Sequence, residues 1–79
     1  TIAGPHCTRL LADMGAEVIK IEAPEGDLMR SRPVQRDGFG TMFGQLNAGK
    51  QSIVLDLKKP EAIAAVKKLV AGVDIVVEN

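Results

Sequence analysis

Residues 52–77 read SIVLDLKKPEAIAAVKKLVAGVDIVV, and this stretch decides the fold class. Ser52-Ile53-Val54-Leu55-Asp56-Leu57 is a short apolar run that reads as a strand, and its near-continuous apolar character suits a parallel sheet covered on both faces. Pro60 then opens a helix, because proline lacks the N–H that a first helical turn leaves unsatisfied in any case. Helical spacing puts Ile63, Val66 and Val70 on its buried side, with Ala62 and Leu69 flanking. Lys67 and Lys68 face water near its C-terminal end, where positive charge suits the helix dipole. Gly72 closes the helix, and Asp74-Ile75-Val76-Val77 reads as a third strand. A strand–helix–strand unit of this length crosses over right-handedly into parallel pairing.

Toward the N-terminus, Thr1-Ile2-Ala3 leads into Gly4-Pro5, a second helix start, after which Cys7, Leu10, Leu11 and Met14 recur at the spacing of one apolar helix face. Gly15 stands where a left-handed residue ends a helix, and Glu17-Val18-Ile19-Lys20-Ile21-Glu22 reads as a strand. Between Ala23 and Asn47, Gly26, Pro33, Gly38, Gly40 and Gly44 prevent any long regular element, leaving room for a short helical turn around Thr41 to Leu46. The order is helix, strand, long loop, strand, helix, strand. The expected class is α/β, a Rossmann-like fragment of a doubly wound parallel sheet.

Ten Lys+Arg balance ten Asp+Glu in 79 residues, so the chain lacks the basic footprint of a nucleic-acid binder or a polybasic membrane anchor. With 46% hydrophobic and 25% charged residues, the composition is that of a globular domain. The single cysteine excludes an internal disulfide, and with one histidine it cannot complete a structural zinc site, so no metal is expected. No secretory pattern opens the sequence, and the expected compartment is the cytoplasm. A chain this short buries only roughly 60% of the surface it exposes when unfolded. Its only aromatics are two phenylalanines. Residues 1–79 are therefore expected to be part of a larger domain truncated at both ends, marginal or self-associating alone.

Several patterns compete as functional signals. Gly44 to Lys50 fits G-x-x-x-x-G-K, but Gln51 stands where a phosphate loop needs Ser or Thr and a strand follows where a helix should, so the match reads as coincidence. Glu22 at a strand end imitates the ribose-binding acid of a dinucleotide fold, yet the glycine fingerprint is absent. His6 and Cys7 point about 100° apart on a helix and have no orienting third group, which makes Cys7 a packing residue and leaves His6 at a helix start that could line a crevice. Among the acids Glu22, Glu25, Asp27, Asp37 and Asp56, the last lies in an apolar strand and needs Lys50, Lys58 or backbone N–H groups as partner. Lys58, just past that strand, either meets a phosphate or snorkels to water.

Four longer motifs carry a resemblance. Ala3 to Glu22, AGPHCTRLLADMGAEVIKIE, resembles the N-terminal signature of CoA-transferase family III, also called the CaiB/BaiF family. Gly26-Asp27-Leu28-Met29-Arg30 resembles its G-D-x-x-R, Asn47 to Lys58 its N-x-x-K-x-S-[IVL]-x-L-D-[LM]-K, and Asp74 to Asn79 its D-[VI]-[VLM]-[VI]-E-N. The family includes formyl-CoA transferase and has α-methylacyl-CoA racemase as a relative. The resemblance implies a Rossmann-like, CoA-binding large domain, interlocked homodimers, and acyl-CoA and carboxylic acid substrates in acyl-CoA metabolism. It places Ile2 and Ala3 beside the CoA, Leu55, Asp56, Leu57 and Lys58 near its adenosine and phosphates, and Asn79 at the start of a phosphate-contacting loop. At Ala23 some members carry a basic CoA contact that this chain lacks. The implied chemistry runs through an aspartyl intermediate whose aspartate matches no residue here, so no catalytic residue is expected in this chain. Transferase is favoured over racemase, and a non-catalytic nucleotide-binding fragment is the remaining alternative.

Overall fold

A computed structural model describes residues 2–79, and at position 39 the backbone alone; Thr1, read as leading into the first helix, lies outside the described residues. The elements in chain order are α1 (Ala3–Asp13), β1 (Ile19–Glu22), a single 3-10 turn (Leu28–Arg30), β2 (Gln35–Arg36), β3 (Phe39–Gly40), α2 (Thr41–Asn47), β4 (Gln51–Val54) and α3 (Pro60–Ala71). β1 and β4 pair in parallel, Ile19 opposite Gln51 through Glu22 opposite Val54. The fold is mixed helix and strand around this small parallel sheet.

Both long helices bury a stripe that follows the apolar spacing only in part, keeping Leu11 in α1 and Val66 in α3. In α1 the half-buried residues include Gly4, Pro5, Thr8, Leu11 and Ala12, whereas Cys7 and Leu10 are exposed and Met14, just past the helix, is 77% exposed. The inward face is thus made of small residues that let the helix lie close to its neighbours, and Cys7 is not a packing residue. In α3 the face is Ala62, Ala65, Val66 and Leu69: Val66 lies on the expected stripe and Ala62 and Leu69, its expected flanks, take the place of Ile63 and Val70. Ile63 and Val70 face outward. Pro60 does open α3, and Gly15 follows α1 with φ +101°.

Two expected strands change. The strand at Ser52–Leu57 ends at Val54, because the Asp56 carboxylate accepts the Lys58 N–H at 3.0 Å and its carbonyl accepts the Lys59 N–H at 3.0 Å, turning the chain out of the sheet. All four β4 residues are exposed, so this strand is an edge rather than one covered on both faces. Residues 74–77 form no ladder, since a groove separates them from β1 and leaves no strand to pair with.

The long loop holds more order than its glycines suggest. β2 and β3 form a hairpin closed by Asp37-Gly38, with φ +52° and +81°, the mirror-image turn whose twist matches antiparallel strands. Gly40, buried at the start of α2, lies against the 3-10 turn so closely that a Cβ there would stand 2.0 Å from the Met29 carbonyl oxygen. Met29 and Leu46 are buried beside this contact. Gly40→Ala is therefore expected to cost on the order of 2 kcal/mol in chemical denaturation. Gly44→Ala, inside α2 with no atom within 4 Å of the added carbon, is expected to stabilise by roughly 0.5–1 kcal/mol. Equal effects of the two changes would contradict this packing.

Candidate functional site

β1 delivers Glu22 to the loop that follows it. The carboxylate is 4% exposed and accepts four hydrogen bonds: from Arg30 Nε at 2.8 Å, Arg30 Nη2 at 2.7 Å, the Asp27 N–H at 3.0 Å, and the Ser52 hydroxyl of β4. The bidentate Arg30 pair, with help from Ser52 and the Asp27 N–H, overcomes burial and holds the Glu22 carboxyl down to about 2. Arg30 in turn stacks on the Phe43 ring of α2, 4.0 Å from its centre. Asp27 accepts Lys20 Nζ at 2.8 Å and caps the 3-10 turn by accepting the Met29 N–H at 2.8 Å. Burial pushes the Asp27 carboxyl up, but Lys20 and that N–H outweigh it and leave it below its usual range.

A second cluster joins the motif around Asn47. Lys50 Nζ donates to the Pro5 carbonyl at 3.0 Å and to Asn47 Oδ1 at 2.8 Å, while Asn47 Nδ2 donates to the Phe43 carbonyl. Burial lowers the Lys50 ammonium pKa. Lys50 therefore serves α1 and α2 and is not the partner of Asp56, which takes the backbone N–H of Lys58. The Gly44–Lys50 stretch runs helix first and strand second, the reverse of a phosphate loop.

The residues expected to meet CoA fall into two groups. Ile2 and Ala3 lie at the exposed start of α1, and Asn79 reaches them through its side chain, accepting the Gly4 N–H at 2.9 Å. This replaces the missing side-chain cap, since Ile2 offers none. Ala23, Leu55, Asp56, Leu57 and Lys58 form the other group, joined where the Leu55 N–H donates to the Glu22 carbonyl at 2.9 Å. Ala23, Leu57 and Lys58 are exposed, and Leu55 and Asp56 are half-buried. No hydrogen bond among the described residues joins the two groups. His6 is exposed beside a shallow hollow of about 220 Å³ that Arg9, Asp13 and Gln45 also line. The clasp of Glu22, Arg30 and Phe43 escaped the sequence reading, although a lone acid ending an apolar strand, eight residues before an arginine, was its visible sign.

Because the folded pKa of Glu22 lies below its ordinary 4.5, its contribution is present above that pH and is lost as pH falls toward 2. Asp27 acts with the same sign. Urea titrations should show stability dropping by on the order of 3 kcal/mol between pH 4.5 and pH 2. E22Q should be weaker at pH 7 and show a flatter profile over that range; a profile as steep as the parent's would place the titration elsewhere.

The family model for CoA-transferase family III matches residues 1–79. The chain is 48% identical to succinyl-CoA:mesaconate CoA-transferase of Haloarcula hispanica, over 99% of the chain and 21% of that protein. It is 50% identical to succinyl-CoA–D-citramalate CoA-transferase of Chloroflexus aurantiacus, over 99% of the chain and 20% of the relative. Formyl-CoA:oxalate CoA-transferase of Rhodopseudomonas palustris is 40% identical over 98% of the chain and 19% of its own length. No solved structure matches. The chain spans about a fifth of the length of these relatives. The chain belongs to CoA-transferase family III.

Proposed function

We propose that these residues are the CoA-binding part of an enzyme that moves CoA between carboxylic acids, in a Rossmann-like domain of an interlocked cytoplasmic homodimer. One observation carries the reading. The family's motif residues Glu22, Asp27, Arg30, Asn47 and Lys50 are consumed by one another inside the fold, while the eight positions assigned to CoA remain exposed or half-buried at element ends. Names of the relatives, which transfer CoA from succinyl-CoA or formyl-CoA to a second acid, support the reaction class.

In this reading Lys58 pairs with a CoA phosphate, a charge-assisted contact that the Asp56 turn prepares by fixing the Lys58 backbone while leaving its ammonium free. Leu55 and Leu57 cover the adenosine, and Ile2, Ala3 and Asn79 lie along the phosphates. Ala23 supplies only backbone, its carbonyl accepting the Gly26 N–H at 2.8 Å. The acyl transfer uses an aspartate outside these residues. Its carboxylate attacks the donor thioester carbonyl, expelling CoA thiolate and forming a mixed anhydride; the thiolate then attacks the aspartyl carbonyl, releasing the donor acid and leaving an aspartyl-CoA thioester. The acceptor carboxylate attacks that thioester, and the expelled thiolate takes the acceptor acyl group, restoring the aspartate. Four of the five local aspartates have other engagements: Asp13 pairs with Arg9, Asp27 holds Lys20, Asp37 shapes the hairpin turn, and Asp56 binds the Lys58 N–H.

Lys58→Ala in the whole enzyme should raise KM for acyl-CoA roughly ten-fold or more with kcat little changed, the loss of one charged hydrogen bond. An unchanged KM removes Lys58 from the site. Exchange of CoA between two acids, assayed on that enzyme, separates transferase from racemase, which would instead invert an α-carbon.

A further inference from the structure

We propose that Glu22 and Arg30 are positioning residues for CoA: their pair sets the place of the Leu55–Lys58 segment relative to Ala23. This role rests on the CoA-binding reading and deepens it.

β4 ends at Val54, so residues 55–58 leave the ladder just where the positions assigned to the cofactor begin. The Asp56 turn gives this segment its shape, because both of its bonds, to the Lys58 and Lys59 N–H groups, are internal to residues 56–59. Its place is set elsewhere. Among the described residues one hydrogen bond ties 55–58 to β1, from the Leu55 N–H to the Glu22 carbonyl at 2.9 Å. Ala23 follows that carbonyl directly, so Glu22 is the residue at which Ala23 and the 55–58 segment meet.

The Glu22 side chain grips the same junction. Strand residues two apart share a face, and Lys20 and Glu22 both meet the loop after β1, Lys20 through Asp27 and Glu22 through Arg30. The Glu22 carboxylate also accepts the Ser52 hydroxyl of β4, three residues ahead of Leu55, and the Asp27 N–H beside the turn in which the Ala23 carbonyl accepts the Gly26 N–H. One carboxylate thus pins the end of β1 to β4 on one side and to the loop on the other. Arg30 fixes its orientation, with Nε on Oε1 at 2.8 Å and Nη2 on Oε2 at 2.7 Å, and the Phe43 ring 4.0 Å away holds the guanidinium in turn. A lysine cannot make these two parallel bonds. Loosening the pair lets the ends of β1 and β4 drift apart, and Lys58 moves with Leu55. A ligand site keeps its affinity only while supporting side chains hold its contacts within about 0.5 Å of their productive places.

Calorimetric titration of CoA into the whole enzyme separates placement from stability, since it returns the Kd and the number of sites per chain independently. Ser52→Ala removes one donor without touching a charge, and Arg30→Lys keeps the charge without the fork; both leave Glu22 partnered. Each should raise the Kd roughly three- to ten-fold, the range of one hydrogen bond, with the number of sites unchanged. Ser52→Ala should add less on top of Lys58→Ala than it does in the parent enzyme, because part of its effect passes through Lys58. Equal increments in the two backgrounds, or fewer sites at an unchanged Kd, would make the clasp a stabilising feature only and overturn the proposal. A Kd raised by Lys58→Ala but by neither Ser52→Ala nor Arg30→Lys overturns the positioning role and leaves the CoA reading intact. An unchanged Kd in Lys58→Ala withdraws that reading, and the positioning role with it.

Discussion

A carboxylate placed at the end of a parallel strand and shut off from water must be answered by a cation and several N–H or O–H donors, and the way Glu22 is answered organises this fold. Arg30 supplies two parallel N–H bonds, Ser52 an O–H from the neighbouring strand, and Asp27 a backbone N–H. Arg30 and Asp27 belong to the loop after β1, and Ser52 to β4. Satisfying one buried charge therefore ties β1, β4 and the loop together, and Arg30 extends the tie to α2 by lying on Phe43. Removing one partner of such a pair is expensive because the other stays buried and unanswered. A loop rich in glycine and proline acquires one conformation this way, where its own propensities would leave many.

The same economy accounts for several of the family's motif residues, whose side chains are engaged inside the fold. Asp27 holds Lys20 and the amino end of the 3-10 turn; Lys50 holds Asn47 and the Pro5 carbonyl. These side chains are fully occupied by intramolecular partners, and among the described residues no buried side-chain nitrogen or oxygen lacks one. In the proposed reading, recognition falls to backbone and to side chains at element ends. Lys58 illustrates the division: Asp56 accepts its N–H, and its ammonium has no ion-pair partner among the described residues.

How much was legible in the sequence follows from which forces act locally. Proline at the start of α3, glycine after α1 and the helical turn at 41–47 are local effects, and all three are found. Strand character at 19–22 and 51–54 was local too, but the parallel partner expected for the second strand was residues 74–77, and it pairs with the first strand instead. Helix faces were legible only in part. Apolar spacing placed Leu11 and Val66, and Ala62 and Leu69 as flanks, on the buried sides where they lie, but it also chose Cys7, Leu10, Met14, Ile63 and Val70, which are exposed, and missed Gly4, Thr8, Ala12 and Ala65, since close approach favours small residues over merely apolar ones. Asp56 looked like a strand residue because its neighbours are aliphatic, yet an aspartate can satisfy the backbone two residues on, and that ended the strand early. The Asp37-Gly38 hairpin was readable from its dipeptide and was passed over amid the other glycines.

The remaining discrepancy is the expected third strand, which residues 74–77 do not form. A strand is a cooperative object that exists only against an edge, and two-stranded pairs are marginal in water without further cover. Ile75 and Val76 are each more than 60% exposed, and Ile53 and Val54 of β4 are exposed as well. Such aliphatic runs would be a hazard on a finished surface, since open strand edges invite association. The segment 74–77 has the composition of a central strand and lies beside α1 through the Asn79–Gly4 contact, but the edge it requires is occupied by a groove. Residues 75–77 thus carry strand propensity with no strand edge beside them among the described residues, so propensity and structure disagree here as they do at Leu55–Leu57.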